Sequence, residues 1–209
     1  MDEVLTEGRR RATGKAHHPY DRSKALAEDA VLDVVEQGLS AVIVQPTGII
    51  GPHDYKPSRM GRFILALAQG KLPGLMTGGF NWVDVRDVCD TAIKAEKSNA
   101  SGESYLLGGH WASFIELAEW VHRAGGNRPP RLVAPRWLAR FGAVFADAAQ
   151  PFVREEPLFG SGALHMVPPR HINISSAKAK AELDHCPRPL AETITDTLDW
   201  WHHRGQITP

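Results

Sequence analysis

Residues 40–52 read SAVIVQPTGIIGP, and the run from Ala41 to Val44 sets the fold class. It is short and uniformly apolar, bounded by Gly38 and Pro46. A strand covered on both faces in a parallel sheet reads this way, because neither face alternates with polar residues. Just upstream, YDRSKALAEDAVLDVVEQG (20–38) carries Ala27, Val31, Val34 and Val35 at helical spacing, with Gly38 as a C-terminal stop. Helix, strand and a Pro/Gly turn in succession make half of an α/β unit. The turn falls at the strand's carboxyl end, the edge at which open α/β sheets bind ligands.

The alternation continues outward. SRMGRFILALAQG (58–70) predicts a helix, FNWVDVRDVCDTAIKAEK (80–97) an extended piece running into a helix, and GESYLLGG (102–109) a second buried strand. Ser113 and Glu116 have capping-box spacing and open a helix through about Ala124. Beyond the connection GNRPPRLVAP (126–135), the stretch 135–149 predicts an amphipathic helix, while 151–175 covers a pocket or packs on the domain. SSAKAKAEL and RPLAETITDTLDWWHHRG close the chain as two helices, with Pro189 near a first turn and Gly205 as a stop. At the other end, MDEVLTEGRRRATGKA is charged, poor in apolar residues and without period, so it reads as a loop or frayed arm.

Composition narrows the function classes. The 209 residues hold 24 acidic and 24 basic side chains, so there is no basic field for nucleic acid or an anionic membrane surface. No apolar stretch is long enough to span a bilayer, and no signal peptide is visible. Cys89 and Cys186 lie far apart outside any CxxC pattern, which fits a reducing cytoplasm. The paired histidines at 17–18 and 202–203 are adjacent and do not share a helix face as ligands would, so no metal site is expected.

The chemistry-bearing pair is Tyr20 and Lys24, i and i+4 on the opening turns of the first helix. That spacing puts both on one face, within reach of a common ligand. A free phenol titrates near pH 10, and a neighbouring cation favours its ionised form, so the pairing suits acid/base work.

YDRSK, VIVQPTGIIGP, NWVDVRDV and HINISSAKAKAEL with PRPLAETITDTLDWW, in that order, resemble the extended short-chain dehydrogenase/reductases. Within them the likeness is to the NAD-dependent epimerase/dehydratase and dihydroflavonol-reductase-like branch, from about Pro19 to Gly205. The resemblance implies an α/β fold, the C-terminal portion of a Rossmann-type parallel sheet with flanking helices plus a small substrate-binding α/β subdomain. It implies NAD or NADP as cofactor and a small-molecule substrate. It makes Tyr20 the general acid/base at a hydroxyl or carbonyl, and Lys24 the residue that binds the nicotinamide ribose and assists the tyrosine. Pro46, Thr47, Gly48 and Ile49 would pack on the nicotinamide end, although a plain tight turn also accounts for Thr47 and Gly48. Asn81 and Trp82 would line the substrate pocket, with core packing the competing reading for Trp82. Asp84 and Asp87 would hold the loop and cap the next helix. Relatives commonly pair as homodimers through a bundle that includes the Tyr20 helix.

The departures from that pattern carry equal weight. The family's glycine-rich turn, whose following helix binds the pyrophosphate, does not occur in the sequence, nor does its catalytic Ser or Thr, for which Thr6 and Thr13 are too near the tyrosine. The expectation is therefore a single partial domain, with an arm at 1–16, the C-terminal half of a Rossmann-like core at 17–110, and a mainly substrate-binding and helical part at 111–209. Three readings stand: a truncated oxidoreductase inactive as this chain alone, a split protein completed by another chain, and a non-catalytic remnant or interaction module. The first is favoured, as an NAD(P)-dependent oxidoreductase acting on a hydroxyl/carbonyl pair, with a nucleotide-sugar epimerase or dehydratase as the alternative within the family.

Overall fold

The computed structural model describes residues 4–135, 137–138, 167 and 172–207. In chain order the elements are β1 (Val4–Leu5), α1 (Pro19–Val35), β2 (Ile43–Pro46), β3 (Gly48–Ile50), α2 (Arg59–Ala68), β4 (Leu75–Met76), β5 (Gly79–Asp84) and α3 (Val85–Lys97). β6 (Ser104–Leu107), β7 (His110–Ser113), α4 (Phe114–Arg123), β8 (Val133–Ala134), β9 (Asn173–Ile174), α5 (Ala177–Leu183) and α6 (Leu190–His203) follow. The helix expected over 135–149 and the cover expected over 151–175 fall for the most part outside the described residues. No described helix is long and apolar enough to cross a membrane.

The chain forms two compact units that alternate along the sequence. The first takes residues 1–46, 86–108 and 173–186, the second 47–85, 109–172 and 187–209.

In the first unit β2 pairs in parallel with β6, from Ile43 opposite Ser104 to Pro46 opposite Leu107. The strand begins two residues later than the apolar run that announced it and shares Ile43 and Val44 with it. The reason is register: Gly102 N–H already donates to Ala41 O at 2.8 Å, and the regular ladder starts after that contact. Its four residues are half-buried, where the sequence pattern predicted cover on both faces. Ala95, Tyr105, Leu107, Ala179 and Leu183 form the core beside it. His185 is sealed into the same unit at 1% exposure. Its Nε2–H donates to the Gly108 carbonyl at 2.8 Å, and Nδ1 lies 2.9 Å from the Thr91 hydroxyl. The expected arm is not wholly loop, since Val4 and Leu5 pair in parallel with Asn173 and Ile174.

Local signals set α1. Pro19 occupies the first turn, where its missing N–H costs nothing, and the His18 side chain caps the Tyr20 N–H at 3.3 Å. Gly38 takes φ +105° just beyond the helix end, a conformation that a side chain would resist.

The second unit is built on β5, flanked by β3 in parallel and β7 antiparallel, while β4 and β8 pair separately. Phe63, Ile64 and Leu67 of α2, Phe114 and Leu117 of α4, and Ile194, Leu198 and Trp201 of α6 share its core with Trp82. Edge-on ring pairs knit that core, Phe63 with Phe114 at 5.3 Å and Phe80 with Trp82 at 5.2 Å, each worth about 0.5–1.5 kcal/mol beyond the area buried. α4 opens on the reciprocal capping box of Ser113 and Glu116 that the sequence announced.

Candidate functional site

α1 carries Tyr20 and Lys24 on one face of the first unit. Tyr20 is 49% exposed, Lys24 is exposed, and the ammonium sits 5.9 Å from the phenol ring centroid. Among the described residues neither the Tyr20 hydroxyl nor the Lys24 ammonium is taken up by a hydrogen bond or ion pair.

α1 is seated by a residue that the sequence reading passed over. Glu28 lies two helical turns beyond Tyr20, and its carboxylate accepts from the Gln45 amide at 2.9 Å and from the Ser104 hydroxyl at 3.4 Å. Arg11 approaches the same carboxylate at 3.6 Å and bonds Asp29 at 2.6 Å. One side chain thus ties the helix of the Tyr/Lys pair to β2, β6 and the N-terminal segment. A glutamate one turn after Lys24 on the half-buried side was the available signal.

Pro46 ends β2, and Thr47, Gly48 and Ile49 open the second unit, with Ile49 38% exposed. The Thr47 hydroxyl donates to Asn81 Oδ1 at 3.0 Å, and the same oxygen accepts the Gly109 N–H at 2.6 Å. Asn81 therefore fastens the start of β3 and the β6–β7 turn to β5. Gly48 is explained by packing, because a Cβ there would lie 3.1 Å from the Asn81 carbonyl oxygen and 3.3 Å from the Trp82 ring. Trp82 is 1% exposed, and its indole N–H donates to the Ala112 carbonyl at 2.9 Å, so its side chain serves the core. Asp84 is buried and faces Arg188 Nε at 3.7 Å. Asp87 is also buried and gives its carbonyl to the Thr91 hydroxyl at 2.7 Å. Each unit thus gathers its own share of the nominated residues: Tyr20, Lys24 and Pro46 in the first, Thr47, Gly48, Ile49, Asn81 and Trp82 in the second.

Comparison with known proteins gives the family to which this α/β framework and its Tyr-x-x-x-Lys helix belong. The model of the NAD dependent epimerase/dehydratase family matches residues 4–108, and the chain belongs to that family. It is 31% identical over 191 residues to sterol demethylase protein B of Methylococcus capsulatus, an alignment covering 90% of this chain and 58% of the relative. It is 28% identical over 199 residues to a Synechocystis protein named provisionally as a dihydroflavonol 4-reductase, covering 90% and 56%. A solved nucleoside-diphosphate-sugar epimerase of Pseudomonas aeruginosa shares the fold, with a TM-score of 0.78 at 22% identity over 99% of this chain and 63% of that one. The chain spans 56–58% of the length of these two curated relatives.

Proposed function

We propose that this chain supplies the proton-transfer site of an NAD(P)-dependent oxidoreductase acting on the hydroxyl or carbonyl of a small molecule. The observation that carries the reading is the exposed Tyr20 with the Lys24 ammonium 5.9 Å from its ring and, among the described residues, neither polar group in a hydrogen bond or ion pair. Tyr20 moves the proton at the substrate oxygen, as donor in reduction and acceptor in oxidation. Lys24 holds positive charge 5.9 Å from the centre of the phenol ring and offers three donors to the ribose hydroxyls of the cofactor. These donors fit the nicotinamide ribose of NAD or NADP. When bound, that group supplies or accepts the hydride. The Thr47–Asn81 hydrogen bond keeps the loop after β2 in one shape, and Asn81 acts through that loop. We assign the protein to the cytoplasm, which the unpaired, exposed Cys89 and Cys186 support. Leu26 and Val34, 41% and 45% exposed on α1, support pairing of two copies through that helix.

The test is turnover and cofactor titration, with a panel of ketones and alcohols, of the chain joined to a glycine-rich cofactor-binding half of the family, since the favoured reading has the chain inactive alone. Tyr20→Phe removes the proton and keeps the ring, so it lowers turnover by orders of magnitude while cofactor affinity persists. Lys24→Ala weakens both. Near wild-type turnover in Tyr20→Phe would overturn the assignment.

A further inference from the structure

The segment preceding α1, which the sequence marks only as charged and aperiodic, folds around a cavity of about 840 Å³ within the first unit. Arg9, Arg10, Arg11 and His17 line it with the hydroxyl residues Thr6 and Thr13, and no carboxylate residue is among the lining. The chain as a whole is neutral, so this concentration of one sign is local.

The arginines divide into two roles. Arg11 is committed, bonded to Asp29 at 2.6 Å and approaching Glu28 at 3.6 Å, and so anchors the wall to α1. Arg9 and Arg10 are exposed, and among the described residues their side chains have no hydrogen bond or ion pair. Adjacent unpaired guanidinium groups repel each other, and an anion between them removes that cost. The wall is also pre-shaped. Arg9 N–H donates to Thr6 O at 3.1 Å, Thr13 N–H to Arg11 O at 3.0 Å, His17 N–H to Gly14 O at 3.1 Å, and Arg22 Nε to Thr13 O at 3.3 Å. A pre-shaped wall spares a ligand much of the ordering cost of binding. The positive end of α1 begins two residues after His17 and favours the same sign of ligand.

We infer that this cavity binds an oxyanion-bearing small molecule, a phosphate ester or a carboxylate, through the guanidinium forks of Arg9 and Arg10. Arginine is the side chain whose planar donor fork matches both groups. The volume lies within the range of small-molecule sites and exceeds what a lone phosphate needs, so the anion is one part of a larger ligand. The assignment is independent of the proton-transfer reading, because it concerns binding alone.

Calorimetric titration of the chain at low salt, with inorganic pyrophosphate in one arm and succinate in the other, tests it. The wild type shows saturable binding of at least one anion, and the stronger arm identifies the group. The Arg9→Ala/Arg10→Ala double variant binds at least about tenfold more weakly with an unchanged melting temperature, since both side chains are exposed. The charge-matched control Arg128→Ala/Arg131→Ala, at exposed positions of the second unit, binds as wild type. Absence of saturable binding of either anion up to about 10 mM, or equal affinity in the pocket variant and the wild type, overturns the proposal.

Discussion

Asn81 holds Thr47 by a 3.0 Å hydrogen bond in which the threonine hydroxyl donates to the asparagine side-chain oxygen. The same oxygen receives the Gly109 N–H, so two donors from different strand ends converge on one acceptor. An apolar residue of similar size removes the acceptor that both donors share. Asn81→Leu is therefore expected to cost about 1–3 kcal/mol in denaturant unfolding. Asn81→Asp retains the acceptor and costs less. Equal stability of the leucine variant and the wild type would show that the clamp contributes nothing.

Tyr105 adds a component to the stability of the first unit that is lost at alkaline pH. Burial pushes its phenol up to about 12, assisted by the hydrogen bond it donates to Glu182 at 2.7 Å. The folded state thus holds this proton more tightly than the unfolded chain, whose phenol titrates near 10. The resulting stability is complete below pH 10 and drains away as pH rises through about 12. Urea midpoints measured across that window should fall in the wild type, and Tyr105→Phe should lack this component of the fall. Identical pH slopes in the two proteins would contradict it.

Glu116 gives the opposite sign in the second unit. Its carboxylate accepts the Ser113 backbone N–H at 2.8 Å and the Ser113 hydroxyl at 2.8 Å, and these hydrogen bonds hold its pKa below the usual carboxylate value. Stability from this group is complete above about pH 4.5 and is lost as pH falls through the lowered folded value. Ser113→Ala removes the cap on Glu116 N–H and should cost about 1 kcal/mol at neutral pH. Thermal melts at pH 7 and pH 3 would show that penalty shrinking in acid, because the capping box has already weakened there.

Short-range chemistry made much of this fold legible. Ser113 with Glu116, Gly38 and Gly205 act on backbone groups within a turn of themselves, and each marks a helix end where the structure has one. The partners that decide burial lie far along the chain. Val4 and Leu5 become a strand only because Asn173 and Ile174 accept them, and His185 is sealed in only because Thr91 and Gly108 arrive on other elements. The placement of Tyr20 and Lys24 near each other on α1 was readable because it spans one helical turn. Glu28 needed β2 and β6 beside it to show its role, and the arginines around Arg10 needed a curved segment that no periodicity encodes.

Glu28 yields the prediction that links stability to the candidate chemistry. Its side chain is 16% exposed and bridges α1 to Gln45 and Ser104, while the Arg11 contact is more open and contributes little. Glu28→Ala leaves the Gln45 amide and the Ser104 hydroxyl without their acceptor and should cost about 1–3 kcal/mol. Glu28→Gln keeps an acceptor oxygen and costs less. Because α1 also carries Tyr20 and Lys24, a loosened seat misplaces both groups together, and turnover should fall in Glu28→Ala although the Tyr/Lys pair is intact. Denaturant unfolding and steady-state kinetics on the two variants separate the effects. A glutamine variant with restored stability and restored turnover supports a positioning role, whereas an alanine variant with unchanged unfolding would remove Glu28 from the account of how α1 is held.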